Sequence, residues 1–358
     1  MANGQIGHRI KLARLKEGLS LRDLSAKMDG LVSAQALGKY ERDEMLPGSK
    51  VLLALGKALN VSLDYLLAPK NTRLGQVDFR KHSRTSARDK AKVEAQVVGY
   101  VERFLQLESI LGDSLHESRT VQSEIGTPDE AEELASRLRS EWQLGTTPIS
   151  DVTELLEERG HIVIVLELPD NVSGLTCEVH RDDEEPIHVL VANKKQSLER
   201  RRLTLLHELA HRLLVIPGDE KATEKAANRF AGAFLIPGEH LARTFGFPRR
   251  RFEAPEILEL KRVYRVSAAA LWYRVYQLGH TSQSQYEYGC RTFGRGWRGK
   301  TEPRELEGEA QRGTMEMPRV FVRKCYQALA EGLIGLPKAA ELLEKPVAEI
   351  ERVLRGGS

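Results

Sequence analysis

Residues 207–211 read His-Glu-Leu-Ala-His, and no other feature constrains the chain as strongly. Two histidines at i and i+4 face the same way only on a helix, where they stand about one turn apart, so the run from about Ser197 to Val215 must be helical for the pattern to have meaning. In that geometry both imidazoles can hold one metal ion. Glu208 then points to the edge of the same face, placed to accept a proton from a water rather than to ligate. The bland alternative is a pair of half-buried helix histidines with no ligand.

A third ligand should lie nearby. After the Pro217-Gly218 break a second helix is expected over about Glu220–Leu235, and as an antiparallel neighbour it can return Glu224, thirteen residues beyond His211, to the two histidines. Glu220 is the competing choice. Asn228, one turn beyond Glu224, can orient a ligand from behind, or simply bond within its helix. His240, Tyr273, Arg274 and His280 are the available donors for an oxyanion, each with an equally good structural role.

The rest of the chain has to supply a body around this helix. At 358 residues it is long enough for two or three domains. Its 41% hydrophobic and 29% charged residues are those of an ordinary globular protein. No apolar run approaches the roughly 18 residues that cross a bilayer, and Met1–Gln5 begins no basic, then apolar, leader, so a cytoplasmic protein without a membrane partner is expected. Cys177, Cys290 and Cys325 form no Cys-x-x-Cys pair, which argues against a disulfide framework and a thiolate zinc finger.

The net charge of +3 is uninformative until it is resolved by region: residues 1–70 hold eleven Lys/Arg against seven Asp/Glu, a local excess of four. This basic segment, 6–67, reads as five short helices, Ile6–Leu15, Leu21–Met28, Ser33–Glu41, Lys50–Leu59 and Leu63–Leu66, with Ser20, Ser33 and Ser62 as N-caps. Residues 68–126 follow as a polar linker, to about residue 88, and an amphipathic helix to Leu111. That helix's stripe Val93, Val97, Tyr100, Phe104, Leu107, Leu111 needs a partner surface. Packing on the domain that follows is preferred, with homodimerisation the other use. Residues 127–280 combine helices with three strand candidates, His161–Leu168, Leu175–His180 and Ile187–Ala192. Residues 281–317 show little periodicity and read as a loose connector, and 318–354 as a small C-terminal helical bundle. The fold class is mainly α with a small β-sheet (α+β).

The segment Ser197–His211, SLERRRLTLLHELAH, followed by Glu224–Pro237, EKAANRFAGAFLIP, resembles the ImmA/IrrE family of bacterial zinc metallopeptidases, over about residues 127–280. The resemblance implies a zincin-like domain with a Zn2+ site of His207, His211 and Glu224, and Glu208 as general base. It also implies cleavage of a partner regulatory protein, a repressor above all. Ile236 stands where the family usually has a larger aliphatic residue, a conservative change.

Residues 6–67 resemble a lambda-repressor-like (XRE) helix-turn-helix, carried by Ser20–Ser25, SLRDLS, and Val32–Arg42, VSAQALGKYER. The expected partner is double-stranded operator DNA, with Gln35 at a base edge and Arg22, Lys39, Arg42 and Lys50 at phosphates, while Ser33 caps the helix and touches the backbone. Readers of this type usually occupy two half-sites, which makes a homodimer a candidate assembly. The turn Asp29–Val32 is about two residues longer than usual, and Asp43 stands where glycine commonly ends the recognition segment. The basic runs Arg249–Arg251 and Arg291–Lys300 read as solvated loops.

The functional expectation is a DNA-binding regulator with a zinc-dependent endopeptidase that removes a repressor. The alternative is a transcription regulator or antitoxin whose metallopeptidase-like domain senses metal or binds a partner without cutting.

Overall fold

Short polar caps punctuate the first apolar runs and set where each helix begins. The computed structural model describes residues 6–67, 86–112, 122–181, 184–246, 252–297 and 302–356. Its first helices are α1 (Ile6–Lys16), α2 (Leu21–Lys27), α3 (Ala34–Glu41), α4 (Ser49–Leu59) and α5 (Leu63–Leu67). Ser20 Oγ accepts from the Asp23 N–H at 3.1 Å and Asp23 accepts from the Ser20 N–H at 2.8 Å, a reciprocal capping box. Ser33 and Ser62 cap α3 and α5 through the N–H groups of Ala36 and Tyr65. Ile10, Leu24, Leu37, Leu55 and Leu66 are fully buried at the centre of this bundle.

Both departures from the usual helix-turn-helix have a local explanation. The long turn carries two consecutive left-handed residues, Asp29 at φ 53° and Gly30 at φ 70°, which reverse the chain without straining a bulky side chain. Asp43 is left-handed too, at φ 56°, and its Oδ1 accepts from the Gly7 N–H at 2.8 Å, closing the open first turn of α1. Gly7 must be glycine: an added Cβ would strike the Tyr40 carbonyl and lie 2.7 Å from Asp43 Oδ1.

The long helix α6 (Ala87–Leu111) follows. The next region contains β1 (Ser123–Glu124), α7 (Glu130–Glu141), α8 (Val152–Glu158), β2 (Ile162–Leu166), β3 (Gly174–Arg181), β4 (Glu184–Asn193), α9 (Leu198–Leu213), β5 (Leu214–Val215) and α10 (Glu220–Leu235). It continues with α11 (Gly238–Phe245), α12 (Ala254–Tyr264), α13 (Ala268–Gln277) and α14 (Gln283–Arg291). The three-stranded sheet has the order β2-β4-β3, with β2 parallel to β4 in the register Ile162 to Val189 through Leu166 to Asn193. β1 pairs in parallel with β5. Leu205, Leu206, Leu209, Phe230, Phe234 and Trp272 belong to the core that joins α9 to its neighbours.

The approach to α9 is fixed by a buried amide. Asn193 Oδ1 accepts from the N–H groups of Leu168 (3.2 Å) and Lys195 (3.1 Å), and its Nδ2 donates to the Val172 carbonyl (2.8 Å). Ser197 then caps α9 through the Arg200 N–H. β3 begins at Gly174 because a Cβ there would meet the Thr204 methyl and lie 2.5 Å from the Val191 carbonyl oxygen.

Residues 281–317, expected as a loose connector, hold more structure than their composition suggests. They contain α14, whose Tyr286 stacks on Tyr276 at 4.7 Å, and a strap, residues 302–317, fastened to α9. Arg201 pairs with Glu307 at 2.6 Å, Arg202 with Glu316, and Lys261 of α12 joins Glu199 (2.8 Å) to Glu302 (2.9 Å). These side chains are buried, and a buried charge persists only when paired. The charged residues of a segment that reads as a loose connector are therefore the strap's fastening.

The C-terminal bundle is α15 (Val320–Ala330), α16 (Leu336–Leu343) and α17 (Val347–Leu354). Here α6 finds its partners: it packs against α1 and α15. Phe321 of α15 lies with its ring centroid 5.2 Å from Tyr100 and 5.9 Å from Phe104. Lys324 pairs with Glu108 at 2.7 Å, and Glu344 takes both Lys16 and Arg103. The stripe thus covers the first helical domain and the C-terminal bundle, where packing onto the following domain had been expected. The chain divides into two compact units, one of residues 1–116, 177–188 and 319–358, the other of 117–176 and 189–318. The expected linker lies outside the described residues up to residue 85, as do Arg249–Arg251 and residues 298–300 of the second basic run. Among the described residues no helix is long and apolar enough to cross a membrane.

Candidate metal centre

The two helices that carry the motif are joined by a short reversal. β5, the Pro217-Gly218 turn with Gly218 at φ 75°, and Asp219, whose side chain accepts from the Ala222 N–H at 2.8 Å, bring α10 back along α9. The reversal sets Glu224 opposite the two histidines. His207 Nε2 and His211 Nε2 lie 3.0 Å apart, and the Glu224 carboxylate oxygens lie 3.4 Å from the first and 3.2 Å from the second. Nitrogen and oxygen ligands about 2.0–2.1 Å from a tetrahedral zinc stand about 3.3–3.4 Å from each other. The three donors are therefore spaced close to three corners of a zinc-sized tetrahedron, the two histidines slightly nearer each other, and among the described residues they are the one group that could hold a metal. Side-chain exposure rises from 10% at His211 and 18% at His207 to 55% at Glu224, so the centre opens to solvent on the α10 side.

Glu208 is buried beside the histidines. Glu220, the competing third ligand, is exposed in the first turn of α10 and outside the converging group. Asn228 donates its Nδ2 to the main-chain carbonyl of Glu224 at 2.8 Å, so it holds the backbone of that residue instead of its carboxylate. Of the four oxyanion candidates, two are committed elsewhere. His240 Nδ1 lies 2.7 Å from the Tyr264 hydroxyl, and burial, with Arg243 and Arg139 nearby, lowers its pKa. Buried Arg274 binds Glu132 and the Ile236 carbonyl. Burial, helped by Arg274, also lowers the pKa of His280. Tyr273 is exposed on the wall of a groove.

That groove, about 1200 Å³, begins one turn from the ligands, at Leu203 on α9 and Asn228 on α10. It extends past Arg200 and Gly232 along α13, from Ala269 to Gln277, and the strap forms one side with Glu305, Glu309 and Arg312. The sequence pattern does not point to the strap or to Gly232, because neither belongs to a recognisable motif.

In the first domain Arg22, Ser33, Gln35, Lys39 and Lys50 are all exposed. Arg42 is exposed as well, but its guanidinium is engaged by Glu44 at 2.6 Å, so a phosphate would have to displace that carboxylate.

Antiparallel helices bearing H-E-x-x-H and a downstream glutamate, beside a small sheet, are the layout of a metallopeptidase-like domain, and α2 and α3 that of a helix-turn-helix. A family model for the IrrE N-terminal-like domain, of the peptidase class M78, matches residues 157–276, and a helix-turn-helix family model matches residues 10–66. The chain is a fusion of an XRE-type helix-turn-helix domain with an IrrE N-terminal-like domain. No curated protein matches the chain.

Proposed function

We propose that this protein is a DNA-binding regulator whose second domain is a zinc-dependent endopeptidase acting on a partner repressor or other regulatory protein. The observation that carries the reading is the convergence of His207 Nε2, His211 Nε2 and the Glu224 carboxylate to 3.0–3.4 Å, on a face open to solvent. Zinc held there supplies Lewis acidity, which makes water a competent nucleophile near neutral pH and polarises a scissile carbonyl. Glu208 takes the proton of the attacking water and returns it to the leaving amine. Asn228 keeps the α10 backbone at Glu224 in place. In the first domain Gln35 reads a base edge from the start of α3, Ser33 contacts the backbone, and Arg22, Lys39, Arg42 and Lys50 neutralise phosphates. The operator calls for two copies of this head if it has two half-sites.

The test incubates zinc-loaded protein with the repressor encoded beside its gene, comparing the wild type with Glu208→Gln. Cleavage by the wild type alone supports the reading. Cleavage that survives in Glu208→Gln overturns the mechanism with Glu208 as base, and none by either protein at stoichiometric zinc leaves the domain as a non-catalytic sensor or binding module.

A further inference from the structure

The groove beside the metal centre has a charge pattern that selects among peptides. Most charges along it are already neutralised by the protein itself. Arg229 and Arg274 share Glu132, Arg312 is held by Glu305 at 3.0 Å, and Glu302 is held by Lys261. Asp129 and Glu309, both exposed, face the same arginines more loosely, at 3.6 Å from Arg229 and 3.9 Å from Arg312, and two cations have no carboxylate partner among the described residues. Arg200 makes one side-chain hydrogen bond, to the Ser173 hydroxyl at 3.2 Å, and pairs with no carboxylate among the described residues. Lys225, next in sequence to Glu224, has neither a hydrogen bond nor an ion pair there.

Their placement gives the pattern a register. Arg200 precedes His207 by seven residues, almost two full turns, so it stands on the same stripe of α9 about 10 Å from it. An extended peptide advances about 3.3–3.4 Å per residue, so a chain lying along α9 meets Arg200 about three residues from the bond at the metal. Amid a lining that is otherwise largely polar, Leu203, on α9 between Arg200 and His207, and the exposed Tyr273 on α13 offer apolar contacts.

We infer that the groove is a subsite for an extended peptide carrying a carboxylate about three residues from the scissile bond, with Arg200 as the residue that selects it, Lys225 adding attraction nearer the metal, and an apolar side chain in between. The inference rests on the endopeptidase reading, and it names the class of segment that reading leaves open.

The experiment measures binding and cutting separately. Fluorescein-labelled octapeptides with a central Leu and either Glu or Lys at the flanking positions are titrated by polarisation against zinc-loaded Glu208→Gln protein, with and without Arg200→Glu. A control, Arg262→Glu, makes the same charge change at an exposed residue outside the groove. The Glu peptide should bind about tenfold tighter than the Lys peptide, a preference of the size two exposed charges supply, and weaken in high salt. Arg200→Glu should abolish or reverse the preference while Arg262→Glu keeps it. Equal affinities, or a preference that Arg200→Glu leaves intact, overturn the subsite. Charge-selective binding without cutting by the Glu208 form of the enzyme sinks only the proteolytic reading, whereas cutting without charge selectivity sinks only the subsite.

Discussion

Glu307 fastens the strap to the helix that carries the proposed metal ligands, and its removal is the most demanding check on the fold. Its side chain is 1% exposed and that of Arg201 2%. The carboxylate accepts from both Arg201 terminal nitrogens, at 2.6 and 3.3 Å, and from the N–H groups of Thr314 and Met315, each at 2.7 Å. Glu307→Leu keeps an apolar body there but leaves a buried guanidinium without its counter-charge, a change that costs about 3–5 kcal/mol. With a denaturant slope of about 2–3 kcal/mol per molar urea, the unfolding midpoint should fall by about 1–2.5 M. The double variant Arg201→Met/Glu307→Leu removes both charges and should recover part of that loss, with a coupling of about 1–3 kcal/mol. Acid gives a second signature. Burial alone would raise the pKa of Glu307, but the hydrogen bond from Arg201, the Met315 and Thr314 N–H groups and the Arg201 charge outweigh it and hold the pKa below 4.5. A depressed carboxylate contributes stability in full above its unfolded pKa and loses it as the pH falls through the folded one. The gap between wild type and Glu307→Leu should therefore be flat from pH 5 to about 8 and narrow only in acid below about pH 4. A midpoint shift under about 0.3 M urea, or a gap that widens in acid, would refute the strap's role.

Three further outcomes follow from the geometry. His207→Ala or Glu224→Ala should lose bound zinc after dialysis while Glu208→Gln retains it, measured as metal per chain by plasma mass spectrometry; equal zinc in all three would remove these residues from the ligand set. Gln35→Ala should relax base preference at one operator position by about 1–3 kcal/mol without altering zinc content, read by gel shift on a panel of single-base operator variants. Phe321→Ala, which empties a buried site against Tyr100 and Phe104, should lower stability by about 3–5 kcal/mol and destabilise the helix-turn-helix along with the C-terminal bundle, visible as loss of amide protection in both.

The parts of the fold that depend on neighbours in sequence were legible before any coordinates. Ser20, Ser33 and Ser197 mark helix starts because a cap bonds only two or three residues away. The His207–His211 pair is legible because helical geometry alone fixes its spacing. Glu224 was less so: its approach depends on the length of β5 and the turn at Gly218, and only resemblance separated it from Glu220. What stayed hidden rests on long-range pairing of charges. Glu307 and Glu316 are one hundred or more residues from Arg201 and Arg202, and nothing local distinguishes a buried glutamate from a solvated one. The same holds for α6, whose stripe announced a partner without naming it. Asp43 was legible as a departure from the usual glycine, but its hydrogen bond to Gly7, thirty-six positions away, was not.

Helix α9 shows why so many of its residues are constrained at once. At about 100° per residue, and with His207 at zero, Arg200, Leu203, His207 and His211 fall within about 45° of their mean direction and form the stripe that faces the groove and the proposed metal site. Glu208 and Arg201 are seven apart and share a second stripe about 100–120° away, so the strap residue Glu307 meets the helix on the flank that carries the proposed base. Glu199 and Arg202 turn towards the other flank, where Lys261 and Glu316 meet them. Leu206 lies between Glu199 and Arg202 on that flank, Leu205 and Leu209 fill the arc left between the flanks, and all three are buried. The run Glu199-Arg200-Arg201-Arg202 is therefore four different environments, and exchanging adjacent residues within it moves a charge from a buried pair into the groove. A swap of Arg200 with Glu199 keeps composition and net charge unchanged, yet it leaves buried Lys261 facing an arginine and places a carboxylate where the groove had an arginine with no carboxylate partner among the described residues. Its effect on stability and on peptide preference must then exceed that of any single neutral substitution at either position; a swap tolerated on both counts would show that these stripes do not divide the labour of the helix.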